Sequence, residues 1–256
     1  MTARFLEKTA TSGSNEAYRE LAPHRALAER VVCVWIDPAR PRLQPVLPDA
    51  CIDLVWDGAR LCVAGPDTRA VPIESSESFV GIRFRPGSAP GFLGIGSDAL
   101  VDARVALADV WGSEALLLEE QLHEQPERAA TILQDVLLGR LEVARESDSV
   151  VDELVDLLAR RTPLRRSVER LDVSERTLRR RCAVALGYGP KTLQRVLRFR
   201  RALRLLAAHK SLADAAQLAG YVDQAHLTNE SQRLAGLTPA ALAGSPTLSI
   251  STNGCN

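Results

Sequence analysis

The sequence predicts an α+β chain. A β-rich N-terminal part with helices after it precedes an all-α part of two helix-turn-helix units joined by a long helix. Three observations carry this. Short apolar runs with turn signals between them fill residues 29–85. From about Ser113 the apolar spacing changes to three and four residues. In the last third a pattern recurs at one offset of 49: "SERTL" (174–178) aligns with "DQAHL" (223–227), and "GYGP" (187–190) with "GLTP" (236–239).

The strand candidates are "ERVVCVWI" (29–36), "ACIDLVW" (50–56), "RLCVAG" (60–65) and "SFVGIRFR" (78–85), rich in Val, Ile and aromatics. Asp57-Gly58 marks a hairpin between the second and third. In the last, Val80, Ile82 and Phe84 alternate with Gly81, Arg83 and Arg85, the period of a half-buried strand. Pro38, Pro41, Pro45 and Pro48 punctuate the connection after the first. The β-rich region therefore ends near 112, and "SEALLLEEQLHE" (113–124) and "ERAATILQDVLLGRLEVA" (127–144) read as helices. The polar "RESDS" (145–149) is a linker, which divides the chain into 1–145 and 146–244, with a disordered tail over 245–256.

Beyond the linker the helices announce their starts. Thr162-Pro163, Gly189-Pro190 and Thr238-Pro239 put proline at a first helical position, where its missing N–H costs nothing. Ser174 and Asp223 are N-caps. Each repeat copy is a short helix, a tight turn, a capped second helix, a Gly stop and a Pro restart, which places the units near 163–186 and 211–235. The helical stretch 191–210 between them rises roughly 28 Å. With its turns it can set two second helices about one DNA turn apart, roughly 34 Å.

The formal charge of the chain is zero, and that total conceals a division. Residues 160–243 hold 17 Lys and Arg against 6 Asp and Glu, while residues 1–159 hold 15 against 26. An excess of 11 positive charges in one part points to nucleic acid or an anionic membrane surface. No apolar run reaches the roughly 18 residues of a membrane span, and the N-terminus lacks a signal-peptide centre. Five dispersed cysteines without a CxxC read as reduced thiols, so the expected location is the cytoplasm.

In a helix starting after Ser174, Leu178, Cys182 and Leu186 form the buried stripe. Arg176, Arg179 and Arg180 share the opposite face, and the planar fork of arginine bonds guanine O6 and N7 together. Arg181 flanks that face and suits a backbone phosphate. An isolated run of three arginines is usually a solvated face. This run follows a cap, in a basic domain, within a repeated unit, and reads as DNA-directed. In the second copy the exposed candidates are Gln224, Ala225, Thr228 and Asn229, of which Gln and Asn can pair with adenine.

At these residues the sequence resembles the AraC-type family of bacterial transcription regulators over roughly 150–243. "SLADAAQLAGYVDQAHLTNESQRLAGLTPAAL" (211–242) is similar to the family's signature segment, from Gly220-Tyr221 to the closing Gly-x-Thr-Pro. The first unit matches through Ser174, Leu178, Arg180, Gly187 and Pro190. The resemblance implies base contacts from Arg176, Arg179 and Arg180 in one unit and from Gln224, Ala225, Thr228 and Asn229 in the other. It implies duplex promoter or operator DNA as partner, with RNA polymerase, a small-molecule effector and a homodimer as further expectations, and no membrane or cofactor. The family usually carries an aromatic where Cys182 and Ser231 stand, so Ser231 is expected to loosen the second unit and leave most affinity to the first. Phosphates would be met by arginines of 191–210 and elsewhere in the domain. "VLPDACIDLVW" (46–56), "AGPDTRA" (64–70), "VGIRFRPG" (80–87) and "VALADVWG" (105–112) resemble an N-terminal domain that accompanies some AraC-type regulators. Family analogy makes it a small cupin-like β-barrel for effector sensing or dimerisation, followed by helices.

Two other classes compete. A metal-dependent cupin enzyme needs clustered His and carboxylates, and the N-terminal part has only His24 and His123. Asp49, Cys51 and Asp53 alternate along one strand face, where structural pairing or a cap is the expected role. A DNA alkyl-repair protein carrying an AraC-type module would need close cysteines, and Cys33, Cys51 and Cys62 are dispersed. A pure interaction module, with a basic half for an acidic partner or membrane, is the other class. No catalytic, cofactor-binding or metal residue is assigned, and catalysis is not expected. Trp35, Trp56 and Trp111 read as core, His209 as a helix C-terminal cation and His226 as an exposed helix residue.

Overall fold

The computed structural model describes residues 18–38, 42–75 and 77–243. The tail expected to be disordered lies outside them. The described residues of the N-terminal half hold eight strands: β1 (Arg19–Leu21), β2 (Val31–Asp37), β3 (Arg42–Val46), β4 (Asp53–Trp56), β5 (Leu61–Ala64), β6 (Val71–Ser75), β7 (Phe79–Phe84) and β8 (Arg104–Ala106). β1, β2, β7, β4, β5 and β8 form one antiparallel sheet in that order, and β3 pairs with β6 as a separate ribbon. All four expected strands are present, and β4–β5 is the expected hairpin. Asp57 Oδ1 accepts from the Ala59 and Arg60 N–H groups at 2.8 and 2.7 Å, and Gly58 has φ +89°.

The alternation along β7 divides the sheet. Ile82 and Phe84 join Val34, Leu54, Trp56, Leu61 and Val63 on a buried face. α1 (Ala89–Leu93) lies between β7 and β8, and α2 (Ala108–Trp111), α3 (Ser113–Glu124) and α4 (Ala129–Arg140) follow β8. Phe92 and Leu93 of α1, Ala115, Leu118 and Leu122 of α3, and Ile132, Leu133 and Leu137 of α4 cover that face. The opposite face carries Cys33, Trp35 and Val55 with Asp53 and Arg83. There Trp35 lies so close to β7 that a Cβ on Gly81 would sit 2.3 Å from its ring, which is why the position has no side chain. Asp53 takes two bonds from Arg83, at 3.1 and 2.9 Å, and one from Trp35 Nε1. Asp49 Oδ1 accepts from the Cys51 N–H in a turn-side cap, but both precede β4 around Ala50 with φ +69°, so of the three expected to alternate along a strand only Asp53 lies on one.

The remaining helices are α5 (Ser149–Ala159), α6 (Leu164–Leu171), α7 (Glu175–Leu186), α8 (Pro190–Ala207), α9 (Leu212–Ala219), α10 (Gln224–Ala235) and α11 (Pro239–Ala243). The 49-residue repeat holds to the residue: α7 and α10 start and end at that offset, and each stops at a left-handed glycine, Gly187 or Gly236. α8 is the spine. Its Leu193, Val196 and Leu197 pack with α5–α7, Phe199 and Leu203 with Leu234 and Leu242, and Ala202 with Ala216, Ala219, Tyr221 and Leu227. Burial of the Leu, Val and Phe side chains among these, each stabilising by about 1.5–3 kcal/mol, holds the two units in one body.

The two halves also share contacts that local patterning does not reveal. Ala50 is part of the core of α5–α8, and Leu47 packs beside Phe199. Ser97 Oγ donates to the Ala185 carbonyl at 2.8 Å, and the Ala70 N–H donates to the Leu234 carbonyl at 2.6 Å. Arg200 of α8 reaches back to the Asp49 carbonyl at 3.2 Å.

Candidate nucleic-acid interface

Ser174 and Asp223 are the caps their sequence positions predict. Ser174 Oγ accepts from the Thr177 N–H at 3.2 Å, and Asp223 Oδ1 from the His226 N–H at 2.7 Å. Each cap satisfies an otherwise orphaned donor and so fixes where its helix begins. α7 then buries Leu178, Cys182, Ala185 and Leu186. Arg176, Arg179 and Arg180 are exposed together on its N-terminal half, without an ion-pair or hydrogen-bond partner among the described residues. Three unpaired guanidinia at the leading end of a capped helix, its other end packed on the protein, form a surface suited to an anionic duplex.

Arg181 is placed differently. Its Nε and Nη2 grip the Asp148 carboxylate at 2.7–3.0 Å, and Asp148 in turn caps α5 by accepting from Val150 and Val151. Burial raises the Asp148 pKa, but the bonds from Arg181 and those two N–H groups outweigh it and hold the carboxyl below its ordinary value. The α7 terminus is seated on the N-terminal half. A Cβ on Gly187 would lie 2.7 Å from Pro66 Cγ and from Val101 Cγ2, and its φ of +83° suits glycine alone.

In the second unit Gln224, Ala225 and Asn229 are exposed, and Thr228 is half-buried. Thr228 Oγ1 donates to the Gln224 carbonyl at 2.9 Å, which leaves its methyl and its acceptor lone pairs for a partner. Ser231 is fully buried, and its hydroxyl donates to the Leu237 carbonyl at 2.6 Å. Ser231 was expected to loosen the second unit; its hydroxyl instead makes a hydrogen bond across the Gly236 stop, which ties α10 to the segment leading into α11. His226 is packed rather than free: its ring meets Tyr221 edge-on with centroids 5.1 Å apart, and Arg198 lies over Tyr221 at 4.3 Å.

The arginines of 191–210 were expected to meet phosphates, and several are committed inside the protein. Arg195 and Arg198 hold the buried Glu230 at 2.9 and 3.6 Å, and Arg201 closes the end of α5 through the Leu158 and Ala159 carbonyls. Burial raises the Glu230 pKa, but the Arg195 hydrogen bonds and the two positive charges outweigh it and keep its carboxyl below the ordinary range. The reason is positional: as the spine, α8 faces protein on several sides. Basic side chains without such partners lie at Arg160, Arg166, Lys191 and Arg233. No group of His, Cys, Asp and Glu able to hold a metal occurs among the described residues, and no described helix is long and apolar enough to cross a membrane.

Two family models match the chain: a domain of unknown function (DUF6597) over residues 19–106, and a helix-turn-helix domain over residues 168–244. No curated protein matches significantly. Among solved structures, the chain is similar to an apo variant of ToxT from Vibrio cholerae, at 11% identity over 82% of this chain and 96% of that one, with a TM-score of 0.45. It is also similar to ToxT from the same organism with an unsaturated fatty acid bound, at 10% identity over 82% and 93%, with a TM-score of 0.44. Likeness at that level carries no argument. The helix-turn-helix match over 168–244 spans the capped 49-residue repeat with α7 and α10, and these residues are an AraC-type helix-turn-helix domain.

Proposed function

We propose that this chain is an AraC-type transcription regulator that reads duplex DNA by inserting α7 and α10 into the major groove, and that α7 supplies most of the affinity. The observation that carries this is the triplet of exposed, unpaired arginines at the capped start of α7. Arg176, Arg179 and Arg180 contact bases, and Gln224, Ala225, Thr228 and Asn229 contribute the second reading surface. Arg181, with Nε and Nη2 spent on Asp148, keeps Nη1 for a backbone phosphate. Residues 146–244 form the DNA-binding domain, and residues 1–145 serve effector sensing or dimerisation. On this reading the protein acts in the bacterial cytoplasm, engages RNA polymerase as a promoter-bound homodimer and has no catalytic activity.

Competition binding at one fixed salt concentration tests the reading, because salt dependence alone does not separate sequence readout from general charge attraction. A duplex selected from a random pool should bind at least ~10³-fold more tightly than its scrambled counterpart. Equal affinity for the two would refute sequence-specific reading and favour the pure interaction module.

A further inference from the structure

A cleft of about 370 Å³ opens where α7 meets the N-terminal half. One wall is the α7 flank with Arg180, Arg181 and Val184, and the other is the glycine-rich segment Gly87–Gly96 with Ile95. Arg145, Glu146 and Asp148 line it from the linker. Backbone rather than side chain forms much of the second wall: a Cβ on Gly94 would meet nothing within 4 Å, so the space beside it is open. Arg145 is fixed by its backbone, whose N–H donates to the Gly91 carbonyl while its carbonyl accepts from Arg30. The guanidinium of Arg145, like that of Arg180, has no partner among the described residues. Asp148 is satisfied by Arg181, which leaves two free guanidinia against the single free carboxylate of Glu146.

We propose that this cleft binds a small organic polyanion, a di- or tricarboxylate or a phosphate ester, held between Arg145 and Arg180. Its volume lies at the small end of ligand pockets. Val184 and Ile95 would meet the carbon skeleton, and the two guanidinia the anionic oxygens at opposite ends. Arg180 belongs to both the cleft and the DNA-directed face of α7. A bound anion would draw that side chain away from base edges, so occupancy and operator binding oppose each other, equally in both directions. This coupling rests on the reading of α7 as a base-reading helix; ligand binding itself does not.

The test titrates the DNA-free full-length chain with citrate and with inorganic pyrophosphate, ionic strength being held constant with sodium chloride. At least one probe should bind by calorimetry and raise the thermal midpoint by about 3–5 °C at tenfold excess over its Kd. Arg145→Ala should weaken that binding about 10-fold or more, and Arg145→Lys should restore part of it. Saturating probe should lower the operator affinity of the wild type and leave Arg145→Ala unaffected, while without probe the two bind operator equally. Absence of binding by both probes, or binding that Arg145→Ala leaves unchanged, would overturn the site. Arg145→Ala that weakens operator binding without any probe would assign the cleft to a DNA phosphate instead, and would also overturn it. If the chain failed to discriminate an operator, the DNA-free titration would still decide whether the cleft binds an anion.

Discussion

Replacing Arg181 by alanine removes several contacts at once, because Nε and Nη2 both reach the Asp148 carboxylate at 2.7–3.0 Å. The two side chains keep 33% and 25% of their surface exposed. The pair therefore lies between an exposed ion pair, about 0–1 kcal/mol, and a buried charge-assisted bond, about 1.5–3 kcal/mol. A loss of about 1–1.5 kcal/mol follows, equivalent to about 2–5 °C in Tm for a chain of this size. It is not larger, because Asp148 keeps its bonds to the Val150 and Val151 N–H groups. Urea unfolding of the wild type, Arg181→Ala, Asp148→Asn and the double variant isolates the pair, with an expected coupling of about 1 kcal/mol. Additive losses would refute the pairing. Operator binding supplies the second readout: Arg181→Ala should lower affinity evenly across sequences, whereas Arg180→Ala should change which sequences are preferred. Identical specificity profiles for the two would refute their division of labour.

Three further outcomes follow from the packing. Glu230→Gln removes the charge that Arg195 and Arg198 surround and should cost about 2 kcal/mol at neutral pH. Because the folded pKa of Glu230 is held below its ordinary 4.5, the pair stabilises fully above that value and loses its effect as pH falls through the folded one. The gap in unfolding free energy between wild type and variant should narrow as pH falls from 7 to below 4.5; a gap of constant size from pH 7 to pH 3 would contradict this. Gly187→Ala forces φ +83° on alanine and drives Cβ into Pro66 and Val101, at a cost of about 2–3 kcal/mol and a Tm lowered by about 5–10 °C in calorimetry. An unchanged Tm would mean that α7 does not dock there. Gly81→Ala should displace Trp35 from Asp53 and shift the emission of the tryptophans, and an unaltered spectrum with full stability would contradict the close approach.

Local signals were legible where one residue type has one physical use. Ser174, Asp223, Gly187 and Gly236 locate the ends of α7 and α10 because caps and left-handed stops act within a few residues. The Asp57-Gly58 turn revealed β4 and β5 for the same reason. β3 and β6 were not legible: Pro45 and Pro72 face each other in their ribbon, and proline argues against a strand unless it lies at an edge. β1 and β8 are three residues each, too short for a period to show. The candidate site divides along the same line. Exposure of Arg176, Arg179 and Arg180 followed from helical spacing, but the partner of Arg181 lies 33 residues away, and Arg200 meets Asp49 across 151. Which arginines are spent inside the protein is a tertiary fact, and charge counting does not contain it. Ser231 shows the same limit, since its role depends on where the Leu237 carbonyl turns.

Selection of bound sequences from a randomised duplex pool, carried out in parallel for the wild type, Arg179→Ala, Arg180→Ala, Gln224→Ala and Asn229→Ala, tests base reading by α7 most directly. The wild type should yield a defined motif, and Arg179→Ala and Arg180→Ala should each relax one guanine-bearing position in it, by about 1–3 kcal/mol of discrimination. Gln224→Ala and Asn229→Ala should produce smaller losses at positions about one helical turn away. A motif unchanged by both arginine substitutions, or losses larger for Gln224 and Asn229 than for Arg179 and Arg180, would contradict the account.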